Sequence, residues 1–310
     1  MDSTDHKDNW FLNIDFSQLM DMRVDYAFKV FFCTCDTQFL ISLLNAIFAN
    51  KKIPRKIKSL VIVNPHLEKH TREDKLSILD IRAQLDDNTT ILVEMHLYDL
   101  EDLKYKTIRS WSRAYGEELN VGEAYTTQPP VICVTFANGS IEESESQKIH
   151  KCCKIMDIDD CTVFSDAMEL HYIDMKAFVK TINEADKGET DDTGKGETIE
   201  VMLTNWLAFI TEKDIKNKQI LKNICEEQEE ISMAVSKLVQ LSEDKITRQA
   251  YQRRQDEIIL FNKRINDYKR TIEQANSRAE QANSRAKQAE AEVEKLRLRL
   301  AELEAQSSKP

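Results

Sequence analysis

Two stretches, Ser77-Ile-Leu-Asp80-Ile and Ile91-Leu-Val-Glu94-Met-His96, decide how this chain reads. Each sets one acidic residue inside a short apolar run. Between them stands Asp86-Asp87-Asn88, three residues with turn chemistry. The pattern predicts two strands, 77–85 and 89–97, joined as an antiparallel hairpin. A carboxylate inside a strand is costly unless it is paired or bound to metal. Two such acids on adjacent strands suit Mg²⁺, a hard ion that takes one or two carboxylates and keeps several waters. Glu94 and His96 are two apart, so their side chains share one face. The blander alternative makes Asp80 the partner of Arg82 and His96 a hydrogen-bonded core histidine.

Upstream of the hairpin, Val24, Phe28, Phe31 and Phe32 recur at helical spacing, and so do Phe39, Leu40, Leu43, Leu44 and Ile47. Two helices are predicted, with Asp36 and Thr37 as cap candidates for the second. Asp25 lies on the first helix and is a candidate third acid. Lys29 is one turn further on the same face, placed to meet that acid or a phosphate. The β-branched run 57–63 predicts a strand. Residues 1–20 read as a polar arm.

Downstream, 104–119 is amphipathic and reads as a helix carrying Arg109 and Arg113. Either arginine can grip a phosphate through its forked guanidinium; alternatively the two form a solvated face beside Glu117. After Pro129-Pro130 comes an apolar strand, 131–136, then a polar connection and a strand at 170–175. Within that connection His150, Cys152, Cys153 and Cys161 raise the question of zinc, although adjacent cysteines bend poorly around one ion. Residues 184–198 hold almost nothing apolar and read as a flexible linker or exposed insertion. A helical region, 199–255, follows, with Trp206, Leu207, Phe209 and Ile210 as buried anchors.

The last segment, 256–305, carries a sustained heptad. Ile258, Ile265, Ile272, Ala279, Ala286, Val293 and Leu300 occupy one seam position. Phe261, Tyr268, Ala275, Ala282, Ala289, Leu296 and Leu303 occupy the other. Such a repeat predicts a coiled coil and self-association, the alternative being a single solvated helix stabilised by charge pairs and helix propensity. The alanine layers bury little and are its weak part.

Composition narrows the classes. The chain has 310 residues, a hydrophobic fraction of 41% and a formal net charge of −11. That excludes a uniformly basic nucleic-acid binder, while leaving room for a local basic face around an acidic metal site. No apolar run is long enough for a membrane span. The start lacks an apolar signal core, which leads to an expected cytoplasmic location. Seven cysteines without a paired pattern are then expected to be reduced thiols.

Taken in order, these stretches resemble the recombination-promoting nuclease and putative transposase family of PD-(D/E)XK enzymes. The likeness rests on Asp25-Tyr-Ala-Phe28-Lys29, Leu79-Asp80-Ile81, Val93-Glu94-Met95, Arg109 to Tyr115 and Gly122-Glu-Ala-Tyr125. It continues through Leu170 to Phe178, Trp206-Leu-Ala-Phe209 and Leu241-Ser242 to Arg254, so it covers about residues 20–265. The resemblance implies an α/β restriction-endonuclease-like core of order αβββαβ over 21–180, followed by the helical region and the long coiled-coil helix. It implies Mg²⁺- or Mn²⁺-dependent DNA cleavage, with Asp80 and Glu94 as the strand acids, Asp25 as the helix acid and no small-molecule cofactor. Enzymes of this fold carry lysine two residues after the second acid, and this family commonly carries glutamine. Here the residue is His96, which can donate a hydrogen bond or ligate a metal. An alternative follows from that departure: a catalytically silent relative acting as a coiled-coil scaffold or DNA-binding module.

Overall fold

The protein is described by a computed structural model covering residues 13–49, 55–63, 81–97, 102–117, 119, 122–139, 148–185 and 201–307. The chain divides into two units, 1–252 and 253–310.

The first unit is built on a six-stranded mixed sheet of order β1-β2-β3-β4-β6-β5. The strands are β1 (Leu60–Ile62), β2 (Ile81–Leu85), β3 (Thr90–His96), β4 (Val131–Ala137), β5 (His150–Met156) and β6 (Val163–Asp174). The pairs β1–β2, β2–β3 and β5–β6 are antiparallel, whereas β3, β4 and β6 run parallel. The β2–β3 hairpin turns through Asp86-Asp87-Asn88. Asn88 takes φ of 63°, and the Leu85 amide donates to Thr89 O at 2.9 Å. Asparagine tolerates that left-handed backbone better than most residues, which makes a three-residue loop workable here.

A parallel neighbour requires a crossover, and the helix α3 (Leu103–Glu117) supplies it between β3 and β4. Its inner residues pack on one sheet face, where Ala114 meets Val131, Cys133, Leu170 and Tyr172. Trp111 and Tyr115 stack with ring centres 5.1 Å apart along the same contact.

Helices α1 (Asp25–Thr34) and α2 (Thr37–Ala49) lie on the opposite face. Phe28 of α1 packs 5.4 Å from Phe136, whose strand neighbour Thr135 points instead to α3. α1 is buried almost all round, from Ala27 to Phe32, because it is a middle layer. Its outer side meets α5 (Val201–Ile210) through Phe31–Phe209 and Phe32–Trp206. Asp36 caps α2 by accepting the Gln38 amide at 2.9 Å.

Further helices α4 (Met175–Ala185), α6 (Gln219–Glu227) and α7 (Glu229–Glu243) complete this unit together with the start of α8 (Lys245–Ser307). They also tie down the end of the segment read as a polar arm. Phe16, Leu19 and Met20 are buried, the Ser242 hydroxyl and Met20 amide bond at 3.0 Å, and Tyr251 Oη accepts the Asp21 amide at 3.0 Å. Arg23 joins Asp21 to Asp214, in the turn after α5.

Two readings of the sequence need correction. The connection before residue 170 is not a mere polar link: it contains β5 and the first half of β6. Residue 175 begins a helix rather than ending a strand. Beyond residue 185, the segment read as a linker lies outside the described residues. No single described helix is long and apolar enough to cross a membrane. The second unit consists of most of α8, one uninterrupted helix.

Candidate active site

Glu94 is a charged residue in the middle of the sheet and is 3% exposed. Its register partners run straight across the strands: Glu94 opposes Thr135, and Thr135 opposes Tyr172. Residues in register share a face, so these three side chains form a polar row under α3. Thr107 of α3 closes it, with its hydroxyl 3.3 Å from that of Thr135. Burial pushes the Tyr172 phenol up to about 12, its bond with Thr107 opposes that, and nearby Cys153, Cys133 and Glu94 add to it. Tyr172 is therefore a neutral hydrogen-bonding group.

His96 lies two residues beyond Glu94 on the same face. Its Nε2 stands 3.2 Å from Glu94 Oε2, and its side chain is 22% exposed against 4% for the carboxylate. The strand thus presents a buried acid whose imidazole neighbour opens toward solvent. A buried carboxylate of this kind needs a cationic or hydrogen-bonding partner. His96 supplies one.

The next row along the same face pairs His96 with Ala137 and Ala137 with Asp174. Beside it a small cleft is lined by Ala137, Gly139, Lys148, Lys151, Tyr172, Ile173 and Asp174. Lys151 opposes Tyr172 in the β5–β6 register, which puts its stem on the Glu94 face. These two lysines and the Thr107–Thr135–Tyr172 layer were not found from the sequence. The only available signal was the alternation around Tyr172, and β5 itself was unread.

Asp80 lies outside the described residues. Asp25 is the first residue of α1, and its Oδ1 accepts the Tyr26 amide at 2.8 Å. Lys29, one turn further along α1, is 1% exposed. Both sit on the helix that covers the sheet face opposite to Glu94 and His96. Arg109 and Arg113 are exposed on α3. Arg113 Nε donates to Glu117 Oε1 at 3.2 Å, and Arg82 donates to Oε2 at 3.0 Å. Arg82 first, then Arg113, hold the Glu117 carboxyl below its usual range. Arg82 thus has a described partner in Glu117, and α3 offers an outer face of Lys104, Lys106, Arg109 and Arg113 with Glu117 as its one acid.

The donor set at β3 is suited in kind to a divalent cation: a carboxylate oxygen with an imidazole nitrogen beside it. Neither the curated proteins nor the solved structures contain a match to this chain. The family model described as "PD-(D/E)XK nuclease family transposase" matches residues 22–275, a span that takes in the sheet, α3 and the helices behind it. The chain belongs to the PD-(D/E)XK nuclease family of transposases.

Proposed function

We propose that this protein is a metal-dependent DNA endonuclease of the mobile-element type, hydrolysing phosphodiesters at Glu94 and His96 together with Asp80. The observation that carries the reading is the buried Glu94 carboxylate paired with His96 inside the family's core fold. The β2–β3 register pairs Ile81 with Val93. The family resemblance makes Asp80 the strand acid that accompanies Glu94. Asp80 and Glu94 would then hold Mg²⁺ or Mn²⁺. Bound there, the ion lowers the pKa of a water and polarises a phosphate oxygen.

The protein's own groups divide the remaining work. His96, at the solvent side of Glu94, orients the attacking water by hydrogen bonding. Lys148 and Lys151 border the neighbouring cleft, and Arg109 leads the basic outer face of α3. These cations suit the DNA backbone, which is held mainly by lysine and arginine contacts. They supply a local basic face on a chain of net charge −11. Asp25, at the start of α1, supports the metal shell, and Lys29, one turn further along α1, meets that acid or a phosphate. The heptad of α8 brings two copies together, so that paired cuts can be made.

A second reading is favoured by one observation: the position that carries lysine in enzymes of this fold is His96. In that reading the protein is a silent relative that binds DNA or scaffolds through α8. Nicking of supercoiled plasmid with Mg²⁺ or Mn²⁺ separates the two. Cutting by the wild type that is lost in Glu94→Ala and Asp80→Ala supports the nuclease. Absence of cutting with either ion, by protein of native circular dichroism, selects the scaffold.

A further inference from the structure

A second set of ligating side chains lies on the β5–β6 hairpin, on the sheet face away from Glu94. Cys152 opposes His171 directly, and Lys154 opposes Glu169. All four therefore share the face covered by α2, whose Phe48 ring lies 5.0 Å from that of His171. His171 Nε2 is 2.7 Å from Glu169 Oε1 and 3.9 Å from Cys152 Sγ. One sulfur, one carboxylate oxygen and one ring nitrogen lie within 4.8 Å of one another. His171 is 0% exposed and Glu169 9%.

We infer that Cys152, Glu169 and His171 form a binding site for one zinc-class divalent cation, which pins the edge strand β5 to β6. Thiolate and imidazole donors select such an ion over Mg²⁺, which prefers oxygen in octahedral geometry. Zinc bonds of about 2.3 Å to sulfur and about 2.0 Å to nitrogen and oxygen, at tetrahedral angles, set sulfur and nitrogen roughly 3.5 Å apart and nitrogen and oxygen roughly 3.3 Å apart. The observed 3.9 and 2.7 Å lie on either side of those values, so small shifts of the side chains close the site.

The surroundings are those of a supported ligand set. His171 Nδ1 is 2.9 Å from Nε2 of the buried His150. With the metal on Nε2, Nδ1 carries the hydrogen and donates it to His150, which fixes the ring's tautomer and orientation. Lys154 Nζ holds the other oxygen of Glu169, Oε2, at 3.1 Å, leaving Oε1 toward the ion. The zinc set suggested by sequence proximity does not form. Cys153 faces the other side of the sheet, and Cys161 sits in the exposed hairpin turn at φ 56°.

The test uses the full, untagged chain, stripped of metal and titrated with Co²⁺. The expected result is a thiolate-to-cobalt charge-transfer absorption that corresponds to one bound ion and resists excess Mg²⁺. Cys152→Ser loses that absorption, whereas Cys153→Ser and Glu94→Ala keep it, which separates this site from the nuclease centre. His150→Ala weakens binding by about 10- to 100-fold. Absence of the thiolate band in folded wild type, or its survival in Cys152→Ser, overturns the proposal and leaves the cluster as a metal-free hydrogen-bonded chain.

Discussion

Glu94 Oε2 and His96 Nε2 stand 3.2 Å apart on the α3 face of β3, the acid sealed beneath the helix and the imidazole at its open edge. If His96 positions water for the reaction, His96→Ala lowers metal-dependent nicking by about 10²-fold or more, the lower end of what acid–base groups contribute. His96→Lys, which restores the residue typical of the fold, retains more activity than alanine. Equal nicking rates for all three proteins would remove His96 from the mechanism.

Loss of Glu94 is expected to be more severe. Metal ions contribute several kcal/mol of charge stabilisation, and each 1.36 kcal/mol is about tenfold in rate. Glu94→Gln keeps the shape and the bond to His96, yet should fall by about 10³-fold in single-turnover cleavage. Retained cleavage at near wild-type rate would place the metal elsewhere.

Thiol chemistry reports on burial. Burial chiefly, with Glu226 adding to it, pushes the Cys225 thiol up to about 12. The thiol form is the one the fold favours, so the stability this group contributes is intact below the ordinary cysteine range. It declines as pH rises from there toward 12. Native protein incubated with iodoacetamide at mildly alkaline pH should modify the exposed Cys153 and Cys161 first and leave Cys225 intact. Peptide mass mapping checks the order; early modification of Cys225 would contradict its packing between α6 and its neighbours.

Trp206 locks the outer helical layer. It is 0% exposed, donates its indole N–H to Ser42 Oγ at 3.0 Å and meets Phe32, Phe39 and Phe209. Trp206→Ala should cost about 3–5 kcal/mol by urea unfolding. A cost below about 1 kcal/mol would mean that α5 is not part of the cooperative core.

Along α8, Phe261, Ile265, Tyr268, Ile272, Val293, Leu296 and Leu300 are all exposed within the single chain. A second copy of the helix is the expected cover, since these residues follow the heptad seam. Deleting residues 276–310 should reduce the mass measured by light scattering to that of a smaller assembly and weaken paired cutting more than single-strand nicking. An unchanged mass would end the coiled-coil role.

Periodicity alone determined much of this protein. The apolar spacing of Val24, Phe28, Phe31 and Phe32 announced a helix, Asp36 announced the start of the next, and Asp86-Asp87-Asn88 announced the hairpin. These signals are local, because they arise from side-chain direction and backbone preference within a few residues. Glu94 and His96 were legible for the same reason: a polar pair at period two stands out in an apolar strand.

Tertiary structure decided the rest. β5 is an edge strand in which exposed and half-buried residues mix, so His150-Lys-Cys-Cys-Lys shows no clean alternation to read. The sequence places Lys29 one turn from Asp25 on the same helix face, and only the layering of α1 between the sheet and α5 buries it. The polar row Glu94–Thr135–Tyr172 joins residues from three strands far apart in the chain, and the register that aligns them is set by packing across the whole sheet. Sequence periodicity fixes which way a side chain points along its own element; only the assembled sheet and helices determine what it meets there.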